Sequence, residues 1–203
     1  MRLAIFSSLL LLIASADPVD AQHQHAGVFA VEVGDADDGL IYRWRTRTAV
    51  LGWYHPTTEI GTPIRTVGAG RLVEGNDRSE ALTVTRRAGR ARPNGPSTID
   101  VTNYGAATYL SRDAYYGSGR SHTLYLSSGD EIEWLARGAE GSEFFRFEGE
   151  VYSGWLPPSV ERYSQPDTRL WVRLTPRGAG RPAAWINVDA PRDVERLESE
   201  YGG

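Results

Sequence analysis

The amino-acid sequence predicts an all-β fold in which antiparallel strands form small barrels or a β-sandwich. Apolar and polar residues alternate with a period of two over short segments, which is the pattern of a strand with one buried face. The chain contains 22 glycines and 11 prolines, and many of these break it between the alternating segments. Short strands separated by such breaks are typical of antiparallel sheets.

A cleavable signal peptide is predicted for residues 1–21. A positive charge near the start precedes an apolar run that ends at Ile13, which has the length of a signal core and is too short to span a bilayer. The small residues that follow allow cleavage after Ala16 or after Ala21, and Pro18 favours Ala21 because it ends the helical core. We therefore expect an exported protein, either periplasmic or extracellular.

Two residue types are missing from the composition, and several kinds of chemistry are excluded with them. Without cysteine the chain cannot form disulfides, thiolate metal sites, a thiol nucleophile or a lipoprotein anchor. All 22 basic residues are arginine, which excludes a Schiff-base lysine and a phosphate-loop lysine. The formal net charge is -4, and no apolar run after the signal peptide reaches membrane-spanning length. We expect neither a nucleic-acid partner nor a membrane span.

Alternating segments follow the signal peptide at intervals along the chain. Leu40, Tyr42 and Trp44 share one face of an early strand, with arginines between them. Glu131 and Glu133 alternate with apolar residues, so they indicate a solvated strand face rather than a catalytic pair. The later apolar positions that lie two apart are Leu170, Val172, Leu174, Ala184, Ile186 and Val188. Each of these segments predicts a strand with one buried face.

Two segments depart from the strand pattern. Residues 86–96 contain two glycines, two prolines and no apolar residue larger than alanine, so we expect an exposed loop or the join between two modules. Near the C terminus, Asp189 is placed to cap a helix with Pro191 in its first turn, and Val194 and Leu197 lie three residues apart. A short C-terminal helix is therefore predicted.

The second half of the chain carries an ordered series of strands, turns and tryptophans. From Leu124, the sequence LYLSSGDEIEWLARGAEGSEFFRFEGEVYSGW predicts a strand, a Ser-Gly-Asp turn, an amphipathic strand, a loop and another strand, and it closes on Gly154 and Trp155. Residues 184–188 predict a late strand with its own tryptophan. This order resembles the bacterial SH3-like domain, whose plan ends in a Gly-Trp or Ala-Trp strand. The resemblance implies a small SH3-like barrel.

The first half of the chain follows the same plan less fully. Its sequence TAVLGWYHPTTEIGTPIRTVGAGRLVEG contains a Gly-Thr-Pro turn and then Gly70, where a comparable strand would begin. The resemblance thus allows a tandem of two modules. The expected organisation is a flexible lead-in at residues 22–27, a first β module at 28–95 and a second, SH3-like β module at 96–203.

Two late tryptophans are the candidate ligand-binding residues. If the alternating aliphatic residues of their strands face the core, Trp171 lies on the opposite face beside Arg169 and Arg173, and Trp185 lies on the opposite face with Asn187. Exposed indoles beside arginines would form a stacking or peptide-binding platform. The alternative is that these strands are covered on both faces, by the second module or the terminal helix, and the tryptophans belong to the core.

Motifs for catalysis and metal binding are absent from the sequence. There is no HExxH, no GxSxG and no glycine-rich phosphate loop. His55 and His122 fall within the expected folded part, each without a visible nucleophile beside it. The carboxylates of GDADDG, at residues 34–39, suit a hard cation but lack the spacing of a calcium loop, so a polar turn is favoured. We expect no catalytic residue, no metal and no cofactor.

These features favour a non-catalytic, exported binding protein of the bacterial cell envelope. Its expected partner is a cell-wall peptide or an envelope protein, recognised through the aromatic and arginine surface. The alternative is an exported hydrolase on a β scaffold that uses His55 or His122 with nearby carboxylates. A purely structural role in an envelope assembly would instead require a large flat apolar face.

Overall fold

A computed structural model describes residues 28–32, 42–56, 63–75, 81–138, 141–174, 183–189 and 192–197. The predicted signal peptide, the lead-in and the carboxylates of residues 34–39 lie outside the described residues. The described part consists mainly of antiparallel strands, with one short helix. The all-β prediction is therefore confirmed.

The strands follow one another closely along the chain. They are β1 (Phe29–Glu32), β2 (Tyr42–Thr46), β3 (Val50–Gly52), β4 (Arg65–Val67), β5 (Leu72–Gly75), β6 (Ala81–Arg87), β7 (Gly89–Pro93), β8 (Ser97–Asn103), β9 (Tyr109–Leu110), β10 (Arg120–Leu126), β11 (Ile132–Arg137), β12 (Glu143–Phe147), β13 (Glu150–Gly154), β14 (Val160–Ser164), β15 (Asp167–Leu174), β16 (Ala184–Asn187) and β17 (Val194–Leu197). The helix, α1 (Arg112–Gly117), lies between β9 and β10.

The described strands pair into four sheets. The five-strand sheet has the order β16-β15-β6-β1-β9, and the seven-strand sheet has the order β10-β8-β13-β12-β11-β7-β14. The three-strand sheet is β17-β2-β5, and a two-strand sheet joins β3 to β4. Only the pairing of β1 with β9 is parallel among these described ladders. Non-consecutive neighbours recur in both large sheets, so most of the fold depends on contacts between distant segments.

The two large sheets pack face to face as a sandwich. Phe29 of β1 contacts Phe144 of β12, with ring centroids 5.5 Å apart, and both side chains are buried. The hydroxyl of Thr85 donates a buried hydrogen bond of 2.7 Å to the carbonyl oxygen of Leu135 across the interface. The other buried members of this cluster are Val31, Leu110, Ala136 and Val151. Packed inner faces of this kind are what a β-sandwich requires.

The opposite face of the seven-strand sheet surrounds a second core. This cluster takes buried side chains from every strand of the sheet; its members are Ala91, Ile99, Val101, Leu124, Leu126, Ile132, Phe145, Tyr152, Leu156 and Val160. The sheet curves around them, but its edge strands β10 and β14 do not pair with each other. Among the described residues no sheet closes into a barrel, so the sandwich is the correct alternative of the two that the sequence left open.

The three-strand sheet also packs against the five-strand sheet. Trp44 of β2 and Val194 of β17 lie in a buried cluster with Val172 of β15 and Ile186 of β16. By the strand registers, Val172 lies on the same face of the five-strand sheet as Phe29. One face of that sheet therefore packs against both the seven-strand and the three-strand sheet.

Strand pairing crosses the predicted boundary between residues 95 and 96. β6 pairs with β15, β7 pairs with β11 and β14, and β2 pairs with β17. The division into two modules stays a prediction, and a cut at that position would separate strands that share hydrogen-bonded ladders.

The predicted C-terminal helix is wrong. Residues Val194–Leu197 form β17 and pair antiparallel with β2, from Val194 opposite Thr46 to Leu197 opposite Arg43. Val194 enters the core between the three-strand and the five-strand sheet. Pairing with β2 and burial of the valine outweigh the local helix pattern, because tertiary contacts commonly override weak helical propensity.

The expected exposed loop at residues 86–96 is also wrong. Gly89–Pro93 form β7, an inner strand between β11 and β14. Ala91 is completely buried, whereas Arg90 and Arg92 on either side are exposed. The segment has a strand alternation in which alanine is the buried residue, and its glycine and proline content hid that pattern.

Gly89 provides a test of this close packing. An alanine methyl at Gly89 would lie 2.5 Å from the carbonyl oxygen of Ser164 and 2.7 Å from the nitrogen of Pro166, both backbone atoms. We expect Gly89→Ala to lower the free energy of unfolding by about 1–3 kcal/mol, because the neighbouring backbone must move. Gly95→Ala, which meets no atom within 4 Å, is the control and should be nearly neutral. Urea unfolding measures both; equal midpoints for the two variants would contradict the β7 packing.

Candidate functional site

The two predicted ligand-binding tryptophans are buried. Trp171 is 2% exposed and Trp185 is 4% exposed, and both lie in a cluster with Ala30, Leu82 and Val84. The prediction that they form an exposed platform is wrong. Their burial agrees with the alternative that these strands are covered on both faces, and the described residues 194–197 form a strand instead of the terminal helix that this alternative included.

The predicted sharing of faces is nevertheless correct. Trp171 lies opposite Asn187 in the ladder, and Trp185 lies opposite Arg173, so the aromatic and polar residues share one face. Arg169 forms an ion pair of 2.8 Å with Asp167. The alternation fixed the face of each side chain, whereas its exposure depended on what packs against that face.

An open groove lies elsewhere, where the seven-strand sheet ends in β13, β8 and β10. Its volume is ≈ 470 Å³, within the range of small-molecule sites. The residues that line it are Asp100, Val101, Thr102, Tyr115, Ser121, His122, Thr123, Ser142, Ser153, Gly154 and Trp155. We call it the β8–β10 groove.

The floor of the β8–β10 groove is a row of hydroxyl groups. Ser121 of β10 lies opposite Thr102 of β8, which in turn lies opposite Ser153 of β13. Directly paired residues on adjacent strands point to the same face. In the next row, the hydroxyl of Thr123 donates a 3.0 Å hydrogen bond to the carboxylate of Asp100.

Trp155 and Tyr115 are the aromatic residues of the groove. Trp155 follows the last residue of β13 and is 63% exposed. Tyr115 of α1 is partly buried and packs its ring 5.4 Å from that of Phe144. The groove thus joins an exposed indole to the edge of the apolar interface between the large sheets.

Local sequence features set this geometry. Glu148 and Gly149 have positive φ angles of 50° and 85°, as a two-residue hairpin turn between twisted strands requires, and this turn fixes the register of β12 and β13. An ordinary side chain at Gly119 would clash with the Thr102 methyl group and lie 2.8 Å from the Tyr104 ring. The glycine therefore allows β10 to begin against β8.

Tyr104 holds the floor against the helix. Its hydroxyl lies 3.2 Å from the hydroxyl of Ser153 and donates to the carbonyl oxygen of Tyr115 at 3.2 Å. Burial raises the pKa of Tyr104 above its ordinary value, so the phenol remains a neutral hydrogen-bonding group. The helix itself begins at Ser111, whose hydroxyl accepts from the amide of Ala114 at 3.1 Å. These contacts fix the position of Tyr115, in the wall of the groove, relative to the Ser153 hydroxyl in its floor.

A polar cluster occupies the other face of the same strands. Glu150 accepts hydrogen bonds from the Asn103 side chain at 2.7 Å and from the Tyr152 hydroxyl at 2.9 Å, and the first of these is the main cause of its lowered pKa. His122 interacts electrostatically with Glu150. The alternation of β10 places His122 on the face of Leu124, opposite to Ser121.

The remaining candidates are distributed over the molecule. His55 follows β3, which pairs with β4, whereas His122 belongs to β10 of the seven-strand sheet. Glu131, just before β11, is exposed and pairs with Arg92, and Glu133 of β11 is partly exposed and pairs with Arg146; solvent access at both positions agrees with the predicted solvated face. In the part of the chain that is described, no group of three or more histidines and carboxylates is placed to hold a metal ion.

Sequence reasoning missed the β8–β10 groove. Trp155 was considered only as a landmark of the SH3-like plan, and the hydroxyl residues lie on three strands that are not consecutive along the chain. A local indication existed: Ser121 and Thr123 alternate with His122 and Leu124 in β10. That pattern predicts a polar face, but it cannot show which other strands complete it.

Comparison with known proteins gave no relative: no family model, no curated protein and no solved structure matches the chain. The resemblance to the SH3-like domain stays a prediction. Within the described residues, the structure contains no helix with the length and hydrophobicity needed to cross a membrane.

Replacement of a buried tryptophan should destabilise the protein much more than replacement of an exposed one. We expect Trp171→Ala to lower the free energy of unfolding by about 3–5 kcal/mol, because it removes a buried indole and leaves a cavity. Trp155→Ala should change it by less than about 0.5 kcal/mol, because the side chain is mostly solvated. Guanidinium unfolding measures both. A strongly destabilised Trp155 variant would show that this indole belongs to the core.

The surroundings of Tyr152 predict that its phenol ionises at a higher pH than an ordinary tyrosine. Burial, followed by its hydrogen bond to Glu150, raises the pKa of Tyr152 from 10.0 to about 12. The folded state favours the neutral phenol, so this contribution to stability is complete below pH 10 and is lost as the pH rises through about 12. In an ultraviolet difference titration, Tyr152→Phe should show one fewer tyrosine that ionises at high pH than the wild-type chain. In Glu150→Gln the step should move to lower pH, and an unchanged profile in both variants would contradict the assignment.

Proposed function

We propose that this chain is an exported, non-catalytic binding protein of the bacterial cell envelope, and that cell-wall material occupies the β8–β10 groove. The observation that carries the proposal is the 63% exposure of Trp155 at a groove lined by polar side chains. Exposed tryptophans are costly to keep in water and are enriched at binding sites, where they supply a large, rigid contact area.

The chemistry of the groove favours binding over catalysis. Glycoside hydrolysis commonly uses two carboxyl groups across the scissile bond, whereas the described lining of the groove contains one carboxylate, Asp100. Nucleophilic hydrolysis needs a hydroxyl beside a base. His122 borders the groove, but the alternation of β10 places it on the strand face opposite to Ser121 and Thr123 and not beside their hydroxyls, which argues against the hydrolase alternative.

The export and envelope parts of the proposal rest on the sequence. Residues 1–21 have the charge, apolar core and small residues of a signal peptide. The absence of cysteine suits a mature chain that folds in an oxidising compartment without disulfides and relies on its core. A binding protein delivered there meets the cell wall as its most abundant surface.

A co-sedimentation assay tests the function. The mature chain beginning at Gln22 is mixed with isolated bacterial sacculi, and the bound fraction is measured over a range of sacculus concentrations. We expect saturable binding, and we expect Trp155→Ala to weaken it at least about tenfold, because the indole supplies the main contact area.

Tyr54→Ala is the matched control. Tyr54 is 61% exposed but does not line the groove, so its removal should leave binding unchanged. Equal loss in both variants would indicate nonspecific aromatic adsorption. If the folded wild-type chain shows no saturable binding to sacculi, the proposed function is excluded.

A further inference from the structure

We infer that the ligand of the β8–β10 groove is a neutral saccharide, so that the chain recognises the glycan rather than the peptide part of a cell wall. This inference rests on the proposed function, because it takes the same groove as the ligand site. It is argued from the hydroxyl row, the single carboxylate, the exposed indole and the local charge.

The hydroxyl row matches a polyol. The hydroxyls of Ser121, Thr102 and Ser153 lie on three adjacent strands, and adjacent strands are about 4.8 Å apart. Ser121 is exposed and Thr102 half-buried, and a hydroxyl can both donate and accept a hydrogen bond. Ser153 is 8% exposed and its hydroxyl lies 3.2 Å from that of Tyr104, so it supports the row from below. A sugar ring presents several hydroxyls with the same double capacity, whereas a peptide in extended form usually binds through its main chain at a sheet edge.

Asp100 adds the strong acceptor that such a site needs. Its carboxylate accepts one hydrogen bond from Thr123 at 3.0 Å, and an ionised carboxylate has about four lone-pair positions. The remaining positions can accept from two neighbouring sugar hydroxyls. Hydrogen bonds of this charge-assisted kind are roughly twice as strong as neutral ones.

Trp155 supplies an apolar surface beside the polar floor. The indole nitrogen lies 4.0 Å from the position that a methyl group on Gly141 would occupy, so Gly141 itself places no side chain against the indole. A pyranose has hydroxyls at its rim and an apolar C–H face. The C–H face can stack on the indole while the rim reaches the floor.

The groove can also serve a longer chain of sugars. Tyr125 lies on the same face of β10 as Ser121 and Thr123, two residues beyond the groove lining, and it is 76% exposed. Two residues along a strand correspond to about 7 Å. An oligosaccharide that leaves the groove along β10 would meet this second aromatic ring.

The charge of the lining disfavours anionic ligands. Among the described residues that line the groove there is no arginine and one carboxylate, Asp100, while the imidazole of His122 lies on the strand face opposite to the hydroxyl row and interacts with Glu150. Acidic peptides and phosphate polymers would be repelled by Asp100, and they are normally bound by arginine clusters. A neutral ligand is not repelled by the Asp100 carboxylate.

Binding of defined probes tests the inference. Isothermal titration of the mature chain uses two neutral tetrasaccharides, one of β-1,4-linked N-acetylglucosamine and one of β-1,4-linked glucose, and compares them with a purified cell-wall stem peptide and with polyglycerol phosphate. We expect at least one tetrasaccharide to bind and to displace the chain from sacculi. The peptide and the phosphate polymer should do neither.

Two carboxylates form the matched pair of variants. Asp100→Asn should weaken tetrasaccharide binding about tenfold, because it removes a charge-assisted acceptor. Glu150→Gln, which alters a carboxylate on the opposite face of the same sheet, should leave it unchanged. Trp155→Phe should bind more tightly than Trp155→Ala, since it keeps a flat ring, and thermal melts confirm that each variant is folded.

The four outcomes separate the inference from the proposed function. Binding of sacculi and of a tetrasaccharide supports both. If the chain binds sacculi, neither sugar binds, and the stem peptide or the phosphate polymer displaces the chain, the saccharide inference is overturned and the function is kept. If a sugar binds but sacculi do not, the envelope function is overturned and the inference is kept. Binding of neither overturns both.

Discussion

The apolar contact between the two large sheets is the interaction on which the rest of the fold depends. Phe29, Phe144 and Leu135 are buried there, and each such side chain contributes about 1.5–3 kcal/mol when it leaves water. The strands β6 and β7 follow each other in the chain but lie in different sheets. The contact therefore also fixes the point at which the chain crosses from one sheet to the other, where Gly89 has no room for a side chain.

The position of the candidate site follows from the unequal widths of these sheets. The interface takes Leu135, Phe144 and Val151 from β11, β12 and β13, and it takes no buried member from β8 or β10. By strand register, Ser153 and Thr102 continue the same face beyond the interface. Since none of the described residues forms an apolar layer over that part of the face, polar residues can occupy it, and α1 closes its border with Tyr115.

The sequence supported the local parts of this picture and not the remote ones. The alternation around Glu133 and Trp171 gave the correct strands and the correct faces, because side-chain direction in a strand is local. The exposure of Trp171 was not predictable, because it depends on the layers that pack on each face. β7 and Val194 were misassigned for the same reason: Ala91 of β7 pairs with Ile132 of β11, and Val194 pairs with Thr46 of β2, so neither partner is close in the sequence.

Trp155 differs from the buried tryptophans in what the fold requires of it. Trp171 is explained by the core, since its burial stabilises the sandwich. Trp155 is 63% exposed and gains little from burial. An aromatic residue that the core does not need, placed beside a row of hydroxyls, is better explained by a ligand than by folding.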